Sequence, residues 1–245
     1  MSALNKKSWT YLGSFQDHLR ILVHLPFFFI APWVLSPKAG EAVHLSMNSV
    51  NDCKFCTDLH CELGRMAGLS DAQGVNANGK LSTKEESDEL EAFADYGRTF
   101  AKNHGRGDEV ASKYSAISDE HGTLVALSAE GLAYFLMWGS IGGNTINGFL
   151  QGTLKGKTKS GSNAIFEILF VLFYGPLFVV INLTSRILSL FPSGVPSAIS
   201  IIVSVILPTV ASIWIIPYAL IAMLSLPFIK GEEFLPIGGG YFSLA

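Results

Sequence analysis

Apolar and polar positions divide the 245-residue chain into a string of expected helices with two unlike halves. Residues 1–18 are mixed. Ile21 to Leu35 is almost wholly apolar, broken by His24, Pro26 and Pro32, and reads as a buried or membrane-surface helix. A cleaved signal sequence fits this stretch less well, because the charged region before it is long and Ser36-Pro37-Lys38 is a poor small-residue cleavage site. Glu41 to Val50 reads as the next helix, ending near Asn48 to Asp52, and a further helix follows it. Gly74, Asn76, Asn78 and Gly79 then mark a loop within Leu69 to Leu81. Ser82 and Thr83, followed by Glu85 and Glu86, are a capping signal for a helix with Leu90, Phe93, Ala94, Gly97 and Phe100 at helical spacing. The acidic run Glu85 to Glu91 reads as its solvated start. His104-Gly105-Arg106-Gly107 breaks that helix. From Asp119 to about Leu150 another carries Leu124, Leu127, Leu132, Phe135 and Leu136, ending among Gly142, Gly143, Asn144, Asn147 and Gly148.

The second half differs in kind. Lys155 to Ser162 is a basic, glycine-rich hinge, and two long apolar runs follow it. The first, Ile165 to Phe191, has only Glu167 and Arg186 as charges, both near its ends, where long side chains reach the interface. The second, Val195 to Ile229, has none. Each exceeds the roughly 20 residues needed to cross a bilayer. The turn at Phe191 to Pro196 makes the pair a transmembrane hairpin. Pro176, Pro208 and Pro217 predict kinks, which neighbouring helices accommodate. The expected fold is all-α, with no sheet: an extension at 1–18, a helical domain at 19–154, the hinge at 155–162, the hairpin at 163–229 (spans 163–191 and 195–229), and a tail at 230–245.

Charge follows the same division. Residues 1–160 hold fifteen of the seventeen Lys and Arg and seventeen of the twenty Asp and Glu. The net charge of -3 provides no basic surface for nucleic acid. The three cysteines are clustered and odd in number, unlike a secreted disulfide framework, and fit a reducing compartment with a redox-active pair. A hairpin returns the chain to its starting side, so the folded domain and the tail share one face of the membrane. The lysines at 155–159 favour the cytoplasm-equivalent, reducing side.

The candidate chemistry lies in Asn51-Asp52-Cys53-Lys54-Phe55-Cys56-Thr57-Asp58-Leu59-His60. On a helix, Cys53, Cys56 and His60 fall within a sector of roughly 60°. Asn51 and Asp52 as caps would place both cysteines in the first turn, where the positive end of the helix dipole favours a thiolate. With Glu41 twelve positions earlier, the array is Glu41-x11-Cys53-x2-Cys56-x3-His60. This spacing resembles that of the AhpD-like family, the alkylhydroperoxidase and carboxymuconolactone decarboxylase superfamily of small helical proteins. Ser36-Pro37-Lys38-Ala39-Gly40-Glu41 and Arg65-Met66-Ala67-Gly68-Leu69-Ser70 extend the likeness, which covers roughly residues 15–150.

The resemblance implies an attacking thiolate at Cys56, a resolving thiol at Cys53, and a proton relay of His60 and Glu41. It implies no cofactor beyond the cysteine pair, and a dithiol electron donor as partner. Phe55 stands where the peroxidase members carry histidine, which favours dithiol–disulfide exchange over peroxidase activity. The decarboxylase branch lacks the cysteine pair. Zinc on Cys53, Cys56, His60 and Cys61 is disfavoured, because Cys61 lies about 80° around the helix from Cys53 and about 140° from Cys56, so no metal ligand is assigned. Cys61 is expected to be an ordinary buried thiol, and the remaining histidines, His44 included, solvent or core residues. His24, within an apolar run, is a candidate porphyrin ligand if haem or pigment is nearby. The competing functional reading is a non-catalytic accessory subunit of a large energy-transducing membrane complex. In that reading the AhpD-like domain docks, and the hairpin contacts other membrane subunits, lipids or hydrophobic cofactors.

Overall fold

The computed structural model describes residues 6–69, 84–156, 164–193 and 197–225. Outside them lie the expected loop after Leu69 with its capping pair Ser82 and Thr83, most of the hinge, the centre of the turn between the apolar runs, and the tail. Among the described residues there are eight α-helices and no strand. They are α1 (Tyr11–Val34), α2 (Pro37–Asn51), α3 (Lys54–Met66), α4 (Lys84–Asn103), α5 (Asp108–His121), α6 (Thr123–Gln151), α7 (Ala164–Leu188) and α8 (Ser197–Ser225).

The chain starts packing earlier than its composition suggests. Thr10 caps α1 by accepting the Gly13 N–H at 3.1 Å. Trp9, buried, donates its backbone N–H to Thr145 Oγ1 of α6 at 2.9 Å and its indole N–H to Asp17 at 2.7 Å. The boundary expected at residue 18 therefore falls inside α1. α6 runs along α1 and meets it at Gly131, where an added Cβ would stand 2.7 Å from the Phe28 backbone nitrogen. Backbone cannot yield as a side-chain tip can, so Gly131→Ala is expected to cost about 1–3 kcal/mol, read as a lowered midpoint in thermal unfolding.

One expected helix limit is corrected. Residues 108–121 form α5, and the long helix begins at Thr123, not Asp119. Gly122 separates the two at φ 94°, a conformation open at little cost only to glycine. That helix ends at Gln151, close to the expected end near Leu150, with Gly142, Gly143 and Gly148 inside it. Gly142 and Gly143 lie within 3.4 Å of Trp9, Phe178, Phe55 and Cys53 when a Cβ is placed on them, so these glycines make room for neighbours and do not stop the helix.

The two apolar runs are helical, as expected, but α7 and α8 lie closer to the other helices than to each other, meeting where Phe173 and Tyr174 reach Tyr218. α7 packs on α3 and α6, and α8 on α1. Phe170, Tyr174, Leu177 and Phe178 of α7, with Ala211 and Ile215 of α8, belong to the same hydrophobic core as Ile21, Val43 and Trp138. Arg65 of α3 donates to the Leu188 and Phe191 carbonyls, at 2.9 and 2.5 Å, adding to the backbone bonds that close the C-terminal end of α7. The picture of an appended pair is thus corrected to two helices clamped onto the rest, because their inner faces carry aromatic residues that the other helices bury.

Their outer faces remain apolar and exposed: Leu169, Leu172 and Val179 on α7, Ile202, Ile213 and Leu224 on α8. Among the described residues, three segments are long and apolar enough to cross a membrane, namely Thr123–Lys155, Ala164–Leu188 and Ile201–Ile221. The first is mostly enclosed by protein, whereas the other two present most of their surface outward.

Candidate functional site

The site is built on the junction of α2 and α3. Ser36 caps α2 by accepting the Ala39 N–H at 3.1 Å, Pro37 occupies the first turn, and Glu41 and His44 follow at a three-residue spacing on one face. α2 closes at Asp52, in the left-handed conformation (φ 51°, ψ 44°), with its N–H bonded to the Asn48 carbonyl. Lys6 holds this turn through the Asp52 carbonyl at 2.6 Å and the carboxylate at 2.9 Å. Asn144 of α6 donates to the Asn51 carbonyl at 2.8 Å, and Asn51 donates to Ser140 at 2.9 Å, tying the junction to the central helix.

Because Asn51 and Asp52 are used in ending α2, neither caps α3. Cys53 does so itself, its sulfur accepting the Cys56 N–H at 3.4 Å. The expected placement of Cys53 within the first turn is therefore corrected to the N-cap, with Cys56 three residues on. The two sulfurs are 2.8 Å apart, and both cysteines are free and buried. This burial reverses the expected electrostatics. Desolvation, with the adjacent Cys53 adding to it, pushes the Cys56 thiol well above its ordinary range, and the backbone N–H that favours a thiolate is outweighed.

Glu41 lies between two imidazoles. His60 donates Nδ1–H to Glu41 Oε2 at 2.9 Å, and His44 Nδ1 stands 3.5 Å from Oε1. Burial alone would raise the Glu41 carboxyl, but the charge of His60 and hydrogen bonds from both rings hold it down at about 2. His44 is lowered from its ordinary value by burial and by repulsion from His60. One donor atom from each of Glu41, His44 and His60 lies within 4.8 Å of the others.

No protein-family model, curated protein or solved structure matches this chain.

The four residues singled out in the sequence thus fall on one junction. His60 and Cys56 occupy one face of α3, one turn apart, and Glu41 reaches His60 from α2. The surroundings are less expected. A cavity of about 100 Å³ has Glu41, His44 and His60 on its wall, with Phe28, Leu132 and Phe135 opposite and Ile201 and Leu207 of α8 at its side. Neither cysteine lines it. The pair is covered from the other direction by Phe55, by Phe178 of α7, whose ring centroid is 5.7 Å from that of Phe55, and by the α6 backbone at Gly143. A Cβ at Gly143 would lie 2.8 Å from Cys53 Sγ, so Gly143→Ala is expected to displace that thiol and at least halve the yield of the Cys53–Cys56 disulfide, measured by mass spectrometry after mild oxidation.

Sequence reasoning missed His44, Phe178, Gly143 and Asn144. Only His44 had a local signal, its i+3 spacing from Glu41. Of the remaining candidates, Cys61 is half-buried rather than buried. His24 sits in the core with Nδ1 on the Arg20 carbonyl at 2.8 Å and Nε2 3.7 Å from Glu130.

Proposed function

We propose that this chain is a membrane-embedded, AhpD-like thiol oxidoreductase whose working pair is Cys53 and Cys56. The observation that carries the reading is the convergence of two sulfurs 2.8 Å apart with a Glu41–His60 hydrogen bond of 2.9 Å one turn along the same helix. Glu41 fixes the His60 tautomer with the proton on Nδ1, which leaves Nε2 as the basic nitrogen. His60 takes the Cys56 proton at the moment of attack, which a raised thiol requires.

With a disulfide substrate, the Cys56 thiolate attacks one sulfur, an S–S bond forms as the substrate's breaks, and His60 returns its proton to the leaving thiolate. Cys53, losing its own proton, attacks the mixed disulfide, closes the Cys53–Cys56 bond and releases the second substrate thiol. A dithiol donor reverses these steps and restores the reduced pair. A peroxide would instead leave a sulfenic acid on Cys56, which Cys53 resolves with loss of water. Phe55 and the enclosure by Phe178 favour small or apolar oxidants over a bulky protein disulfide.

Mild oxidation of the detergent-solubilised chain is expected to give a Cys53–Cys56 disulfide by mass spectrometry. Cys56→Ser should abolish dithiol-driven turnover, and His60→Ala should slow it by about 10²–10⁴-fold. A pair that stays reduced, or turnover untouched by Cys56→Ser, would sink the reading.

The covering of the thiols by Phe178 also favours the second reading, an accessory subunit of an energy-transducing membrane complex in which the pair is inert. There the exposed outer faces of α7 and α8 meet other subunits. Native gels after gentle extraction separate the two, through migration alone or in a large assembly. In both readings the lysines at 155–159 lie on the reducing side of the membrane.

A further inference from the structure

We propose that Glu41, His44 and His60 form a binding site for a divalent transition-metal ion, with an open coordination position facing the apolar cavity. The donor set has the composition of a three-ligand metal centre: two imidazoles and one carboxylate. Glu41-Ala42-Val43-His44 supplies the Glu-x-x-His spacing by which one helix turns a carboxylate and an imidazole toward the same point. His60 adds the third donor from the neighbouring helix. All three residues are buried, at 7, 7 and 9% exposure, and the two imidazole centroids are 4.1 Å apart. The donor atoms, all within 4.8 Å of one another, need to close by about an ångström or less to reach an ion that binds nitrogen and oxygen at about 2.0–2.2 Å.

Two further observations point to a ligand. His44 Nε2 is buried and makes no hydrogen bond of good geometry, only a weak interaction with the Leu132 backbone, so this nitrogen is poorly satisfied beside the cluster. The cavity wall contains one carboxylate and no Lys or Arg, so apart from the imidazoles there is no cationic group to balance Glu41. The chemistry of the donors selects among ions. Magnesium and calcium require more oxygen ligands than one carboxylate provides, whereas two imidazoles suit zinc or ferrous iron. Three protein ligands beside about 100 Å³ of space leave the fourth position for water or a small anionic group, which is the arrangement of a reactive site and not of a closed structural one.

An ion here takes the same Glu41 oxygens and His60 ring that the thiol relay uses, so the metal-loaded and relay-competent forms exclude each other. The site itself needs nothing from the cysteines and stands apart from the thiol reading.

Zinc titration of the full-length, detergent-solubilised chain by calorimetry tests it. One Zn²⁺ per chain is expected. The Cys53→Ser/Cys56→Ser double variant should keep the affinity within about threefold, while Glu41→Gln and His44→Ala weaken it by about 100-fold or more, since even outer-shell partners are worth 10–100-fold. X-ray absorption on the unmutated, zinc-loaded protein provides a readout independent of variant folding. It should show nitrogen and oxygen neighbours at about 2.0–2.1 Å and no sulfur at about 2.3 Å. A sulfur shell, affinity lost in the double cysteine variant, affinity unchanged in Glu41→Gln and His44→Ala, or no saturable uptake would each overturn the proposal.

Discussion

Replacing Phe178 by alanine is expected to raise the labelling rate of the Cys53–Cys56 pair by about tenfold or more, and to cost about 3–5 kcal/mol of stability. Phe178 is 3% exposed, and its ring closes the space that Gly143 leaves open beside Cys53. Truncation removes that lid and leaves a cavity on the sulfur side of α3, so reagents reach thiols that the intact protein shields. General loosening would also speed labelling, and Phe170→Ala controls for it. Phe170 is 2% exposed on the same helix, two turns or about 12 Å away, and packs on Trp9 and Tyr174 instead. Both variants should unfold at lower temperature, but only Phe178→Ala should expose the pair under native conditions. Equal labelling of the two would show that Phe178 has no special relation to the thiols.

Acidification is expected to remove about 3 kcal/mol through His18 alone. His18 is fully buried; its Nδ1–H is directed to the Ser14 carbonyl, and its Nε2 accepts the Trp138 indole N–H at 2.9 Å and the Tyr174 hydroxyl. A proton on Nε2 would face the Trp138 N–H and would require the Tyr174 hydroxyl to turn its own proton to the Trp214 carbonyl, 3.4 Å away. Burial, only partly offset by the Ser14 carbonyl and Asp17, lowers the His18 pKa from 6.5 to about 4. The unfolded chain binds this proton more tightly than the folded one, so the contribution is complete above about pH 6.5 and is lost as pH falls toward 4. His44, lowered in the same direction, adds to the loss, whereas Glu41, held at about 2, contributes its own only below about pH 4.5. Thermal melts between pH 7.5 and 4 should therefore slope steeply in wild type and less steeply in His18→Gln. Parallel slopes would remove His18 from the account.

Much of the architecture was legible because long apolar or periodic runs have few ways to fold. The apolar stretch at 21–35 and both hairpin runs declared themselves as helices. α5 did not, since only Val110, Tyr114 and Ile117 of its fourteen residues are buried and its polar face masks that stripe. Hydropathy shows that a helix needs apolar surroundings but not whether lipid or protein supplies them. α6 meets the length and composition of a membrane span while most of its surface lies against other helices. The same blindness made α7 and α8 look like an appendage, although their aromatic faces complete the core. At the site, the Glu41–Cys53–Cys56–His60 array was readable as spacing. The shift of Cys53 to the cap was not, because it depends on Asp52 adopting a left-handed conformation. The raised Cys56 thiol depends on burial by the assembled helices, which no local pattern reports.

The bonds around His18 also constrain how the protein is made. Ser14 shares a hydrogen bond of 2.8 Å with Tyr218, 204 residues later, and the His18 ring lies 4.1 Å from the Tyr218 ring. α1 is thus completed by α8, which leaves the ribosome long after it. Until α8 emerges, α1 carries a bare polar and aromatic face, and the loop joining the two partners is nearly the whole polypeptide, a costly closure that delays productive pairing. Biosynthesis has to shield α1 through that interval, and chains that terminate before Tyr218 should be directed to degradation rather than accumulate as a soluble thiol protein.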